Sequence, residues 1–386
     1  MCDFHVAGLP CRQPKPEQEQ ADVSGKVSRR GVLGAAAASA AAAAATIMIG
    51  RAPAARAASL QAQGSASGPS VILLGTNGGP PPLAARFGTA SVLVVNGRSY
   101  VVDCGRGALS QFVRAGLPVT SLAAIFLTHL HSDHTVDYFS FPLLLANGPQ
   151  VTQPIDVYGP GPAGEQSLVP SAPGPLPGTA AMTQLAGQAY AASSSFFIAE
   201  HLAADPVTLV NVHEIMPPAG TGASLSNPAP VMAPFTVMEN SDVKVTAVLV
   251  PHGAVYPAYA YRFDTDQGSV VFSGDTTTTP NIPVLATKAD LLVHEVVDLA
   301  AFAGQGFPPA LITHLETVHT DVTKLGGIAA ASGVRALAAT HLGPGDPAVL
   351  SDEAWRNALR DSARQADFTG AMILGMDLMR LPVRQR

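Results

Sequence analysis

Two hydrophobic rhythms run along this chain. From residue 71 onward, short runs of β-branched and large apolar residues recur between Gly, Pro, Asn and Asp, and among them lie stretches whose apolar positions return every three to four residues. The first rhythm marks strands and the second helices. It predicts strands at 71–75, 90–95, 99–103, 122–127, 155–158, 243–250, 258–264, 269–273, 290–295, 334–340 and 371–374. Helices are expected at 106–115, 135–146, 317–332 and 351–365. There is no internal repeat, and the alternation argues for one large domain of the α/β class.

The first sixty or so residues break the pattern. A polar leader ends in Ser28-Arg29-Arg30-Gly31-Val32-Leu33, an Ala-rich run reaches Gly50, and Arg51 to Ala57 offers small residues at the −3 and −1 positions of a cut after Ala57. This resembles a twin-arginine signal peptide, with Val32 and Gly34 departing from the usual residues. The expectation is a signal at 1–57 and a hydrolase-type domain at 58–386. The twin-arginine export machinery would be a partner, the mature protein would be periplasmic or secreted, and no stable membrane association would remain after cleavage. An uncleaved anchor is the rival, but alanine is weakly apolar and a stable span wants roughly 20 strongly apolar residues. Cys2 and Cys11 lie in the leader, which would leave Cys104 alone and the mature chain without a disulfide.

Composition sets broad bounds. Of 386 residues, 47% are hydrophobic and 13% charged, with a net charge of −6. That is ample for a large core and carries no basic excess for holding nucleic acid by counterion release. Many of the 36 Gly and 33 Pro fall between residues 159 and 234. Residues 180–202 within that stretch are helix-compatible, with Tyr190, Phe196 and Phe197 giving an apolar face. They read either as a helix packed on the sheet edge or as a lid and substrate wall.

Chemistry concentrates just past the predicted strands. Residues 128–134 read Thr-His-Leu-His-Ser-Asp-His after the apolar run Leu122–Leu127. His129 and His131 alternate on extended backbone and point to one side, while Asp133 and His134 follow where the chain turns. Pro251-His252-Gly253, Ser273-Gly274-Asp275-Thr276 and Thr340-His341-Leu342-Gly343 each close another strand. Imidazoles and carboxylates in such numbers suit zinc, manganese or iron.

HxHxDH followed by His, Asp and His resembles the metallo-β-lactamase fold, specifically its binuclear hydrolases. Within that superfamily it is most similar to the tRNA 3′-processing endonucleases (tRNase Z) and the related arylsulfatases. Leu74-Gly75-Thr76, Val102-Asp103-Cys104-Gly105, Tyr259-Ala-Tyr-Arg262, Val293-His294-Glu295 and His319-Thr320 extend the match. The resemblance implies a four-layer αββα sandwich, with an insertion here at about 160–240. It implies two zinc ions: His129, His131 and His252 on one, Asp133, His134 and His341 on the other, and Asp275 between them, with a shared hydroxide as nucleophile. Asp133 would also aim that hydroxide. His319 would stabilise the transition state or protonate the leaving group, with Glu295 as its carboxylate partner.

The resemblance also separates sister chemistries. Oxygen-reducing relatives carry a glutamate where His131 stands, and zinc β-lactamases a cysteine where Asp275 stands. The endonucleases carry a basic arm, in some between the Tyr-Arg and Ser-Gly-Asp motifs, and here Asp264 and Asp266 occupy that interval. The resulting expectation is an exported binuclear hydrolase of sulfate or phosphate esters, arylsulfatase/phosphodiesterase-like, acting on a small-molecule ester and not on nucleic acid. A lactonase or other carboxylic-ester hydrolase is the alternative, and a homodimer is compatible with either.

Overall fold

The computed structural model describes residues 68–146 and 153–383. The expected signal at 1–57 therefore lies outside the described residues. Fourteen strands form two seven-stranded sheets. The first has the order β14-β1-β2-β3-β4-β5-β6, from β1 (Ser70–Gly75), β2 (Ala90–Val95), β3 (Arg98–Val102), β4 (Leu122–Phe126), β5 (Ile155–Pro160), β6 (Val210–Ile215) and β14 (Met379–Pro382). The second has the order β13-β12-β11-β10-β9-β8-β7, from β7 (Phe235–Glu239), β8 (Lys244–Leu249), β9 (Tyr259–Thr265), β10 (Gly268–Phe272), β11 (Leu291–Val297), β12 (Ala336–Gly343) and β13 (Ala371–Leu374).

Strand residues split between the two faces with period two, and both faces are covered. Along β1, Val71 and Leu73 join the core between the sheets, whereas Ile72 and Leu74 face an outer apolar layer. Ala124 and Phe126 of β4 make the same division against Ile125 and Leu127. This explains why these strands read as continuous apolar runs and not as alternating ones. On the first sheet the outer layer holds α1 (Ala108–Arg114), α3 (Ser140–Leu145) and α4 (Thr179–Ala189); the single turn α2 (Ser132–Thr135) precedes α3, and α5 (Ala191–Ala199) packs on α4. The second sheet carries α6 (Asn281–Leu285), α9 (Val322–Ser332) and α10 (Asp352–Gln365), while α7 (Leu299–Gly304) and α8 (Pro309–Val318) pack against each other in the connection after β11. Leu325 of α9 and Trp355 of α10 are completely buried there. The outcome is the expected αββα sandwich.

The stretch at about 160–240 supplies the edge strands β6 and β7 as well as the helix pair α4–α5. Met182 and Ala186 of α4 pack on the outer apolar layer, and Thr183 Oγ1 lies 2.9 Å from the Tyr138 hydroxyl. Phe196 and Phe197 meet edge-on at 5.5 Å, and Phe196 remains 60% exposed. Among the described residues no helix is long and apolar enough to cross a membrane.

Candidate metal centre

Strand direction assembles the site. β3, β4 and β5 run parallel in one sheet and β10, β11 and β12 in the other, and β8 shares the direction of β10 because both are antiparallel to β9. The carboxyl ends of β4, β8, β10, β11 and β12 therefore converge at one edge of the sandwich, where open α/β sheets commonly place their ligands. His131 is the extended residue before α2, and Asp133 and His134 lie on that single helical turn. Gly274 holds the turn into Asp275 at φ 59°, and a Cβ there would meet the Tyr259 carbonyl oxygen at 2.7 Å. Only glycine satisfies both demands.

Every residue expected at the site is brought into one cluster. Ligand atoms of His129, His131 and His252 lie within 4.8 Å of one another, as do those of Asp133, His134, Asp275 and His341. Asp275 faces both ways: Oδ1 is 3.2 Å from His134 Nε2, and Oδ2 is 3.1 Å from His341 Nε2 and 3.8 Å from His252 Nε2. His341 Nε2 also lies 3.3 Å from Asp133 Oδ2.

The ring tautomers leave lone pairs pointing inward. His252 Nδ1 donates to the Val318 carbonyl at 2.8 Å, so its Nε2 carries a lone pair, and that atom faces His131 Nδ1 at 3.2 Å. His134 Nδ1 is 2.8 Å from Asp103 Oδ2. His129 Nδ1 is 3.1 Å from Thr128 Oγ1, whose hydroxyl donates to Asp103 at 2.9 Å. Asp103 thus fixes two histidines. In sequence it stood within the Val102–Gly105 match to the family but carried no assigned role, which its burial beside two imidazoles supplies.

A divalent cation fits this arrangement. His129 Nε2, His134 Nε2 and Asp275 Oδ1 are buried polar atoms without a hydrogen-bond partner, an expensive condition unless something binds there. Among the described residues the ion-pair partners of Asp133, Asp275 and Glu295 are all histidines, and no lysine or arginine balances their charge. Burial pushes the His129 pKa well below the usual histidine value and that of His252 down to about 4, which keeps both rings neutral, the form that can bind a metal.

His319 is held differently. It caps the end of α8, and the side chain of Asp321 then starts α9 by accepting from Thr323 N. Glu295 Oε1 accepts from Thr276 N at 3.1 Å and Thr320 N at 2.9 Å, while Oε2 faces His319 Nδ1 at 3.4 Å. Burial depresses the His319 pKa, but the Glu295 and Asp275 carboxylates outweigh it and lift the ring to about 9. His294 is buried and donates from Nδ1 to the Glu295 carbonyl, a structural position. His213 is exposed and pairs with Asp156, away from the cluster.

The Metallo-beta-lactamase superfamily profile matches residues 84–373. "Ribonuclease Z" of Mycobacterium marinum is 28% identical over 318 residues, covering 82% of this chain and 99% of its own. "Ribonuclease Z" of Mycobacterium sp. (strain KMS) is 30% identical over 320 residues, covering 81% and 95%. Among solved structures, human tRNase Z, short form, aligns over 82% of this chain and 100% of its own at TM-score 0.52 and 20% identity. The metallo-beta-lactamase fold protein YhfI from Bacillus subtilis aligns over 81% and 98%, at TM-score 0.52 and 18% identity.

These relatives correct three expectations. Nearly full-length similarity to enzymes named ribonucleases overturns the arylsulfatase-like or lactonase-like hydrolysis of a small-molecule ester. It overturns the exclusion of nucleic acid, which leaned on a whole-chain charge and on one interval between motifs. The periplasmic or secreted placement falls too: the relatives matched over nearly their whole length are named ribonucleases, and the leader that suggested export lies outside the described residues. With its profile match, its fold and its cluster of ligands in agreement, this chain belongs to the metallo-beta-lactamase superfamily, among the relatives of ribonuclease Z, and is a metal-dependent hydrolase of ester bonds.

Proposed function

We propose that this protein hydrolyses phosphodiester bonds in RNA with two divalent ions, zinc by the character of its ligands. His129, His131 and His252 would hold one ion, and Asp133, His134 and His341 the other, with Asp275 placed to serve both. Ions so held lower the pKa of a water to about 7 and stabilise charge on the phosphate. Asp133 accepts a hydrogen bond from the attacking water and aims it. His319 turns Nδ1 toward Glu295, which leaves Nε2 to give a proton to the departing ribose oxygen. Glu295 acts through His319, as its positioning residue.

The observation that carries this reading is the alignment with ribonucleases Z over nearly their whole length, together with a ligand set in which no position is lost. The test combines elemental analysis with an RNA cleavage assay. Two ions per chain and metal-dependent cutting of RNA are expected. A stoichiometry that stays at one under saturating zinc would sink the binuclear assignment, and metal-replete protein inert toward RNA would sink the substrate.

A further inference from the structure

Beside the metal cluster, on the His131 side, an apolar cleft of about 410 Å³ opens. Three pieces of chain wall it. Leu130 comes from the ligand loop itself. Val255 and Tyr256 come from the turn that carries His252, closed by Val255 N donating to the His252 carbonyl at 3.0 Å. Leu176 and Met182 come from the connector between β5 and α4 and from α4 itself. Two walls are thus continuous with metal ligands, and whatever fills the cleft lies against the reacting centre.

The charge of the cleft narrows its occupant. No lysine or arginine occurs between residues 115 and 243, and the carboxylate on the lining is that of Glu165. A phosphate would meet repulsion there and no cation. The part of a polynucleotide next to a scissile phosphate that is flat, largely apolar and supplied with N–H donors is the base. An aromatic ring gives such a base a stacking surface, and a carboxylate accepts from its amino group.

Resting on the RNA reading above, we infer that this cleft receives the unpaired nucleobase flanking the phosphodiester that is cut. Tyr256 stacks on the base, Leu130, Met182 and Val255 exclude water around it, and Glu165 accepts from an exocyclic amino group. Single-stranded RNA at the cut follows as a requirement, because a base held in a helix cannot turn into the cleft. Cytosine, adenine and guanine carry the amino group and uracil does not, so uracil is disfavoured at this position.

The experiment uses the zinc-loaded full chain and an oligoribonucleotide with a duplex and a single-stranded tail. The cut is mapped first, and an abasic ribonucleotide is then placed on either side of it. In the wild-type protein one of the two abasic substitutions should raise KM about tenfold to a hundredfold. Tyr256→Ala should raise KM for the intact RNA by a similar factor and add nothing on the abasic one, while Tyr256→Phe restores the wild-type pattern. Glu165→Gln should reduce the discrimination against uracil. Melting temperatures of all variants are measured alongside, and Tyr256→Phe keeps the ring where Tyr256→Ala fails to fold. An abasic penalty that persists in full in Tyr256→Ala, or that is missing at both positions, overturns the cleft assignment alone. RNA left uncut by metal-replete wild-type protein removes the RNA reading and this inference together, before any variant is compared.

Discussion

A histidine binds a metal through one ring nitrogen, and the proton on the other must be given to an acceptor that fixes the ring. His134 gives it to Asp103 directly, and His129 gives it to Thr128, whose hydroxyl is itself anchored on Asp103. Asp103→Asn should therefore weaken zinc binding about 10–100-fold, read by competition with a chelator, while the melting temperature of the metal-saturated protein stays close to wild type. Unchanged affinity would mean that the ligands alone fix their rings. His319 differs in kind, since its ring answers to Glu295. His319→Ala should keep both ions and lose turnover by ~10²–10⁴-fold; loss of metal along with activity would make it a ligand instead. Because the carboxylate raises the His319 pKa, the protonated ring persists to higher pH than an ordinary histidine. Glu295→Gln should then move the alkaline limb of the kcat profile to lower pH, and an unmoved limb would detach that limb from His319. The seven candidate ligands stood out in sequence because they gather at or shortly past the carboxyl ends of apolar strands. The role of Asp103 did not, because the motif that contains it does not say which side chains it meets in the fold.

Legibility of the elements follows burial. β1, β2, β4 and β10 are apolar on both faces, and their expected bounds fall within a residue or so of those observed. β6 reads Val-Asn-Val-His-Glu-Ile, an edge strand open on one side, and it was invisible beside its Pro/Gly-rich surroundings. β7 and β14 are the outer strands of their sheets and were missed for the same reason. The predicted helix at 317–332 ran two elements together, since the extended residues His319 and Asp321 end α8 and start α9. The helix pair α4–α5 shows what pattern alone leaves open. Met182 both packs on the outer layer and lines the cleft beside His131, whereas Phe196 and Phe197 do not line it. Phe196→Ala should accordingly change stability by no more than about 0.5 kcal/mol. Trp355→Ala, at a completely buried position of α10, should cost about 3–5 kcal/mol. Chemical denaturation of the two variants compares them directly, and a large loss at Phe196 would place that ring against a surface this fold leaves exposed.

At the scale of the whole molecule, net charge is an average that says little about where a polymer lies. A charge of −6 suggested that nucleic acid was excluded, yet relatives that span the same length are ribonucleases. Under the proposed cleavage of RNA, what the charge constrains is the manner of binding. The stretch from 115 to 243, which supplies α2, α3, β5, α4, α5, β6 and β7, contains no lysine or arginine, so that side of the site offers no phosphate-gripping cations. For a single strand, log K falls with log salt at about 0.7 per neutralised phosphate, and proteins with 6–10 such contacts lose ~10³–10⁵ in affinity between 50 and 200 mM salt. An enzyme that holds RNA through its metal centre and a base-sized apolar cleft neutralises only one or two phosphates. Its KM should then rise by less than about tenfold over the same interval. The measurement is a KM series on one oligoribonucleotide at fixed zinc, with kcat followed separately so that metal loss at high salt is not mistaken for weaker binding. A rise of a thousandfold would require an extended basic track. With none available from 115 to 243, that track would have to run across the face formed by the rest of the chain.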